Sequence, residues 1–184
     1  MSETASGRPN FQVRNAKMDD AAAIAEIYNQ GIRQRIATFE IEERSVEERE
    51  LWLAAHDEHH PCLVAVEPVT DRVVGWISAD GYRSRQCYCG IAEFSVYVHE
   101  HFRKHGVGKV LMDAFIPACE SAGLWKLLSR IFPENVASRT LCQRAGFREV
   151  GRYEKHARLD GEWKDVIIVE RLLPGTIENP PELW

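Results

Sequence analysis

Glu93-Phe94-Ser95-Val96-Tyr97-Val98, followed after a short connection by Arg103-Lys104-His105-Gly106-Val107-Gly108-Lys109-Val110-Leu111-Met112, is the stretch that decides the fold. The first part reads as a buried strand. Gly106 and Gly108 punctuate a turn, and Val110-Leu111-Met112 continue into a helix. A helix N-terminus offers backbone N–H groups without intrahelical partners and the positive end of the helix dipole. With bases at Arg103, Lys104, His105 and Lys109, this turn is a ready-made pocket for a diphosphate.

The rest of the chain bounds the reading. At 184 residues and 45% hydrophobic it is long enough for one well-buried core and short for two domains. A net charge of -5 and a pI near 5.8 argue against a general nucleic-acid binder, so the bases at 103–109 are a local patch suited to one anionic ligand. No run of 18 apolar residues is present, which predicts no membrane span. Met1 to Asn10 is polar without an apolar core, which predicts no secretory signal. The five cysteines, Cys62, Cys87, Cys89, Cys119 and Cys142, are odd in number and lack a disulfide-framework spacing, as in a reduced cytoplasmic protein.

Phe11–Arg14 alternates like an edge strand. Asp19-Asp20 caps a helical run with Ala23, Ile24, Ile27, Tyr28 and Ile32 at helical spacing. Ser45 with Glu48 forms a capping-box pattern opening a second helix through Leu51, Trp52 and Ala55. Cys62–Val66 and Arg72–Ser78 are strands joined as a hairpin by a turn over Pro68–Asp71. The central strand covers about Ile91 to Val98. Its helix begins near Gly106 and runs to about Ala122, with a kink expected at Pro117 and a stop at Gly123. Leu124–Phe132 is strand-like, Ala137–Ala145 is helical, and Phe147–Tyr153 with Asp165–Leu172 completes an antiparallel pair. The expected architecture is a single α/β (α+β) domain over 1–184, a central mixed sheet flanked by about four helices, with tails at 1–10 and 174–184.

The Gly-x-Gly turn lacks both the Gly-x-Gly-x-x-Gly of a dinucleotide fold and the Lys-Ser/Thr of a nucleotide P-loop. Instead, the strand, the Arg-x-x-Gly-x-Gly turn and the helix resemble the acetyl-CoA-binding core of the GCN5-related N-acetyltransferase (GNAT) superfamily. Asn135-Val136-Ala137-Ser138-Arg139-Thr140-Leu141 and Ala145-Gly146-Phe147 stand where that superfamily carries its second signature. The resemblance implies that main-chain groups at Val96, Tyr97 and Val98 pair with the pantetheine arm like an added strand. It implies too that Arg103, Lys104 and the N–H groups from His105 through Gly106, Val107 and Gly108 to Lys109 hold the pyrophosphate. Asn135 and Ser138 would bound the pantetheine on the far side.

Acetyl transfer needs a neutral amine, and a free amine is mostly protonated at pH 7. Alternation places Ile91, Glu93, Ser95 and Tyr97 on one strand face. Glu93 thus falls just before the pantetheine-pairing positions, placed to take the amine's proton directly or through water. The alternative is a structural Glu paired with Arg83 or Arg85. Where the superfamily commonly has Tyr, and this branch often His, to hydrogen-bond the leaving sulfur, this chain has Cys142, a weak donor.

Ile36-Ala37-Thr38-Phe39-Glu40, Tyr82-Arg83-Ser84-Arg85 and Trp163-Lys164-Asp165-Val166 are similar to the phosphinothricin N-acetyltransferase branch, whose relatives act on methionine sulfoximine and arsinothricin. That resemblance runs from about Phe11 to Leu173. It implies an acceptor pocket lined by Thr38, Phe39, Tyr82, Arg83, Arg85, Glu93 and Trp163, with the arginines reading anionic groups through their planar forks. The alternatives are a solvated loop for Arg83 and Arg85 and packing for Phe39 and Trp163. The resemblance further implies a homodimer. His99, His101 and His105 do not form a metal set, because a helical spacing of His101 and His105 is incompatible with the turn; no metal is expected. The expected activity is acetyl-CoA-dependent acetylation of the α-amine of a small glutamate-like toxic amino acid. A protein or polyamine acetyltransferase and a non-catalytic acyl-CoA module stand as alternatives.

Overall fold

The computed structural model describes residues 11–180, so the 1–10 tail and Pro181 lie outside the described residues. Seven strands, β1 (Gln12–Asn15), β2 (Cys62–Glu67), β3 (Arg72–Gly81), β4 (Ile91–Val98), β5 (Lys126–Ile131), β6 (Arg148–Leu159) and β7 (Glu162–Leu172), form one mixed sheet in the order β1-β2-β3-β4-β5-β7-β6. The helices are α1 (Ala21–Gln34), α2 (Val46–Ala54), α3 (Val107–Ser121), α4 (Val136–Arg144) and the short α5 (Pro174–Glu178). Every neighbouring pair of strands is antiparallel except β4 with β5, which α3 joins as a crossover.

The feature that positions the site is where that parallel pair ends. β3 stays paired with β4 from Gly81↔Ala92 to Gly75↔Val98. β5 pairs with β4 only at Ile91↔Lys126, Ala92↔Leu127 and Glu93↔Leu128, and continues to Ile131 bonded to β7 alone. From Phe94 onward the two central strands part, leaving one edge of β4 without a strand partner.

The two faces of the sheet have different chemistry because side chains alternate. Ile77 and Ala79 of β3 and Phe94 of β4 point into the main core with Leu111 and Phe115 of α3. Phe94 and Phe115 are 2% and 0% exposed, and burying each contributes about 1.5–3 kcal/mol. The opposite face carries the register pairs Trp76↔Tyr97, Ser78↔Ser95 and Asp80↔Glu93. There Trp76 packs with Ile24, Ile27 and Tyr28 of α1.

α2 starts where the capping box predicts. The Glu48 N–H donates to Ser45 Oγ at 3.2 Å, and the Ser45 N–H donates to Glu48 Oε2 at 2.8 Å. Helix α3 continues through Pro117 to Ser121. Two expectations need correction. The β6–β7 hairpin is longer than Phe147–Tyr153 with Asp165–Leu172, closing at Asp160-Gly161. Of the expected tail, Pro174–Glu178 is helical and docked rather than outside the core: Thr176 is 5% exposed, and its Oγ1 donates to the Glu120 carbonyl at 3.1 Å. Among the described residues no helix is long and apolar enough to cross a membrane.

Candidate active site

Glu93 sits at the point where β4 and β5 part. Its carboxylate accepts a fork of two hydrogen bonds from Arg130 of β5, one from Nε to Oε1 at 2.7 Å and one from Nη2 to Oε2. The structural partner is therefore neither Arg83 nor Arg85. This hydrogen bond raises the Arg130 guanidinium above its ordinary value, with the charges of Glu93, Tyr82 and Tyr153 adding in the same direction against burial. The Glu93 side chain keeps 26% exposure, and a carboxylate has about four lone-pair sites, so acceptor capacity remains beyond Arg130.

On the near side, Asp80 lies opposite Glu93 in the β3–β4 ladder. It accepts from Ser78 Oγ at 3.3 Å, and its side chain is 49% exposed. Tyr28, Arg49, Trp52, Trp76, Ser78, Asp80 and Ser95 help line a cavity of about 450 Å³ beneath α1 and α2. Two of its lining residues, Asp80 and Ser95, share the sheet face of Glu93, and Asp80 is the register partner of Glu93.

The residues between α1 and α2 span the gap between the central strands. Tyr97 Oη donates to the Ala37 carbonyl at 3.2 Å, and burial pushes that phenol well above its usual value. Asn135 Nδ2 donates to the Ile36 carbonyl at 3.2 Å. Phe39 meets Phe132 edge-on at 4.7 Å, and Arg35 pairs with Asp160 of the hairpin turn at 2.9 Å. Thr38 Oγ1 lies 3.3 Å from Tyr28 Oη and accepts the Glu40 N–H at 3.2 Å. Thr38 and Phe39 thus belong to a loop braced on both banks, with the Phe39 ring packed against Phe132.

The turn after β4 has the shape of an anion cradle. Gly106 has φ 93, and Lys104, with φ 65, adopts the left-handed conformation that non-glycine residues rarely take. The Val110 N–H donates to the Gly106 carbonyl at 3.1 Å, so the N–H groups of Val107, Gly108 and Lys109 precede the α3 ladder. A Cβ at Gly106 would meet nothing within 4 Å, which leaves open space at the turn. A Cβ at Gly108 would lie 3.1 Å from Leu141 Cδ2, so glycine lets α4 approach α3 closely. Together with the unpaired β4 edge at Val96, Tyr97 and Val98, these groups fit an extended thioester arm ending in a pyrophosphate.

Several predicted cofactor side chains are already engaged. Arg103 donates from Nη1 to Gln34 Oε1 at 2.6 Å and from Nε to the Val98 carbonyl at 3.2 Å, bracing the end of β4 against α1. Asn135 Oδ1 accepts the Ser138 N–H at 3.1 Å and caps α4. Lys109 pairs with Asp113 on its own helix, while Lys104 and His105 are exposed.

The acceptor-side predictions divide. Tyr82 stays close to β4, its N–H donating to the Ile91 carbonyl at 3.2 Å. The Arg83 guanidinium stacks over Tyr82 at 4.9 Å and Tyr88 at 5.9 Å, and Arg85 is exposed. Trp163 stands apart, 57% exposed beneath Arg158. The hairpin's unexpected length carries it roughly 16 Å along β7 from Ile168, the register partner of Arg130. Cys142 is 1% exposed, and burial pushes its thiol up to about 12, so it remains a protonated core residue.

Sequence reasoning missed Arg130, Asp80, Ser78 and Arg49. The available signal was polarity on a buried strand: Trp76-x-Ser78-x-Asp80 alternates on the same face as Glu93-x-Ser95-x-Tyr97.

Comparison with known proteins agrees with this geometry. Residues 13–168 match the family described as "Acetyltransferase (GNAT) domain". A phosphinothricin N-acetyltransferase of Streptomyces coelicolor is 31% identical over 91% of this chain and 99% of its own length. An L-methionine sulfoximine/L-methionine sulfone acetyltransferase of Pseudomonas paraeruginosa is 28% identical over 91% of this chain and 98% of its own. The crystal structure of a GNAT phosphinothricin acetyltransferase from Sinorhizobium meliloti in complex with acetyl-CoA superposes with a TM-score of 0.86 at 27% identity, covering 94% of each chain. The parted central strands, the glycine turn at the start of α3 and these matches agree, and the chain belongs to the GNAT N-acetyltransferases.

Proposed function

We propose that this N-acetyltransferase moves the acetyl group of acetyl-CoA onto the α-amine of a small glutamate-like amino acid of the phosphinothricin, methionine sulfoximine or arsinothricin type. The observation that carries the reading is the position of the Glu93 carboxylate at the fork of β4 and β5, with Asp80 across the ladder. The relatives named for such acceptors supply the substrate class.

The co-substrate supplies an acyl carbon activated by a good leaving group, the CoA thiolate. The chain's task is to align it and free the amine. The β4 edge from Val96 to Val98 and the N–H groups at the start of α3 orient the arm and its pyrophosphate. With Arg103 tied to Gln34 and Val98, the backbone carries most of the pyrophosphate binding. Glu93 attracts the acceptor's ammonium and takes its proton, directly or through a water. As the N–C bond forms and the C–S bond breaks, that proton can pass through solvent to the departing thiolate. Arg130 fixes the orientation of the Glu93 carboxylate throughout. Cys142 contributes packing and no proton, so the thiolate leaves unaided.

N-acetylation removes the positive charge by which such amino acids imitate glutamate, and its consequence is detoxification. We place the protein in the cytoplasm, as its free cysteines suit a reducing compartment, and as a homodimer. Exposed Val150, Tyr153 and Trp163 on the outer β6–β7 hairpin suit contact with a second copy.

Steady-state kinetics with acetyl-CoA against phosphinothricin, methionine sulfoximine, arsinothricin, a polyamine and a peptide test the reading. The amino-acid analogues should be the best acceptors. Turnover of only the peptide or only the polyamine would sink it.

A further inference from the structure

Among the described residues, three buried side-chain nitrogens lack a hydrogen-bond partner: Arg49 Nε, His56 Nε2 and Trp76 Nε1. All three surround one ring, that of Trp52. Its centroid lies 4.4 Å from His56 and 5.5 Å from Trp76, with the Arg49 guanidinium carbon 5.2 Å away. Folded proteins rarely leave buried donors unmatched, and each exception calls for a reason.

Two of the three belong to residues lining the cavity that ends at Asp80 and Ser95 of the sheet, and both residues are more than nine-tenths buried. Arg49 is 8% exposed and Trp76 is 1% exposed. Arg49 also lies 4.1 Å over the Tyr28 ring. Among the described residues no carboxylate reaches ion-pair distance of Arg49. The nearby acids are committed elsewhere: Arg44 takes Glu40 at 2.6 Å and Glu48 at 3.1 Å. A buried guanidinium without a counter-ion is costly unless an anion completes it. Its aromatic surroundings hold the fork in one orientation, which suits planar or tetrahedral oxyanions. Asp80 lines the same cavity, with an exposed carboxylate able to meet an ammonium.

We propose that Arg49 forms an oxyanion subsite of the acceptor pocket, opposite in charge to Asp80 in the same cavity. One substrate then spans the cavity, its amine on the Asp80 side and an oxyanion at Arg49. This rests on the amino-acid acceptor proposed above and adds a residue that sets its recognition. The oxyanion is either the α-carboxylate or the side-chain anion, and truncated acceptors tell the two apart.

The experiment compares wild type and Arg49→Met on phosphinothricin, its α-amide and 2-aminobutyrate, which lacks the phosphinate. Losing one charge-assisted bidentate contact should raise KM for phosphinothricin about 30-fold. The analogue already lacking the group that Arg49 binds should change less than about twofold by the same reasoning. An equal change on all three acceptors, or none, overturns the proposal. Arg49→Lys, which keeps the charge and loses the fork, should fall between the two and carries the test if Arg49→Met does not fold.

Tryptophan fluorescence with glutarate, in the absence of acetyl-CoA, gives a readout independent of turnover because Trp52 and Trp76 border the subsite. A saturable response in wild type that Arg49→Met loses supports the subsite even if no amino acid is acetylated, in which case only the proposed acceptor class fails. Normal acetylation of amino acids by Arg49→Met leaves the acceptor class standing and removes the subsite.

Discussion

Asp80 and Glu93 stand opposite each other across the β3–β4 ladder, yet Arg130 binds only Glu93. Asp80 instead accepts from Ser78 and lies 3.8 Å from His56 Nε2. The two carboxylates are thus separated in role by their partners. Glu93 is clamped at the fork of the sheet, while Asp80 is left facing the cavity.

Replacing Glu93 with Gln keeps the shape and removes the proton acceptor. We expect kcat to fall by about 10²–10³ with acetyl-CoA affinity unchanged. Calorimetric titration of acetyl-CoA alongside initial rates checks this. Equal losses in affinity and rate would make Glu93 a structural residue.

Arg130→Lys keeps the charge and loses the two-pronged contact that aims Glu93. The expected result is about a tenfold fall in kcat, since a misaligned group retains part of its effect. The partners are 45% and 26% exposed, so the melting temperature should change by no more than about 2–4 °C. Thermal denaturation beside kinetics separates the two effects.

The start of α3 predicts opposite mechanisms for two similar substitutions. Gly106→Ala meets open space but must hold φ 93, costing about 1–2 kcal/mol and disturbing the N–H groups of the turn. Acetyl-CoA affinity should fall several-fold. Gly108→Ala has no such backbone demand and instead presses on Leu141 at 3.1 Å, so its penalty should be relieved by Leu141→Val. Melting curves and acetyl-CoA titrations of the single and double variants decide between them.

Asp20 supplies an acid-sensitive component of stability. Burial acting alone would raise its carboxyl. The Arg14 hydrogen bonds, at 2.7 and 2.9 Å, and the Lys17 N–H outweigh burial and hold it below its ordinary value of 3.8. A carboxyl depressed in the folded state adds stability above its unfolded pKa, and that stability is lost as pH falls through the folded value. Asp20→Asn should therefore lower the melting temperature near pH 7 and show a shallower decline below about pH 4. Parallel curves for the two proteins would refute the assignment.

Thiol chemistry should report burial residue by residue. Burial pushes Cys62 and Cys142 up to about 12 and raises Cys119 as well, whereas Cys87 is exposed and Cys89 half-buried. At pH 8 a disulfide reagent should modify Cys87 quickly and Cys89 more slowly. The other three should react only on unfolding, as mass spectrometry of the labelled peptides would show.

What could be read along the chain was whatever is encoded over a few residues. The Ser45–Glu48 box and the glycine turn at 106–108 are each complete within one helical turn, so the string displays them directly. The Glu93–Arg130 clamp joins residues from two strands and exists only because the parallel register sets Glu93 against Leu128. Arg49 and Trp76 likewise come to the same Trp52 ring only in the folded chain. The length of β6 was hidden for another reason. Its register shifts between Glu149 and Gly151 and again between Tyr153 and Ala157, which breaks the alternation by which a strand is recognised.

The alternation along β4 has one more consequence. Phe94 is locked into the core between Glu93 and Ser95, so a slip of one residue would bury the carboxylate and push the phenyl ring into water. Such a chain would be both unstable and inert. The strand therefore inspects its own assembly: a molecule that passes the test of packing has already aimed its chemistry, and one that fails cannot persist as a half-active imitation.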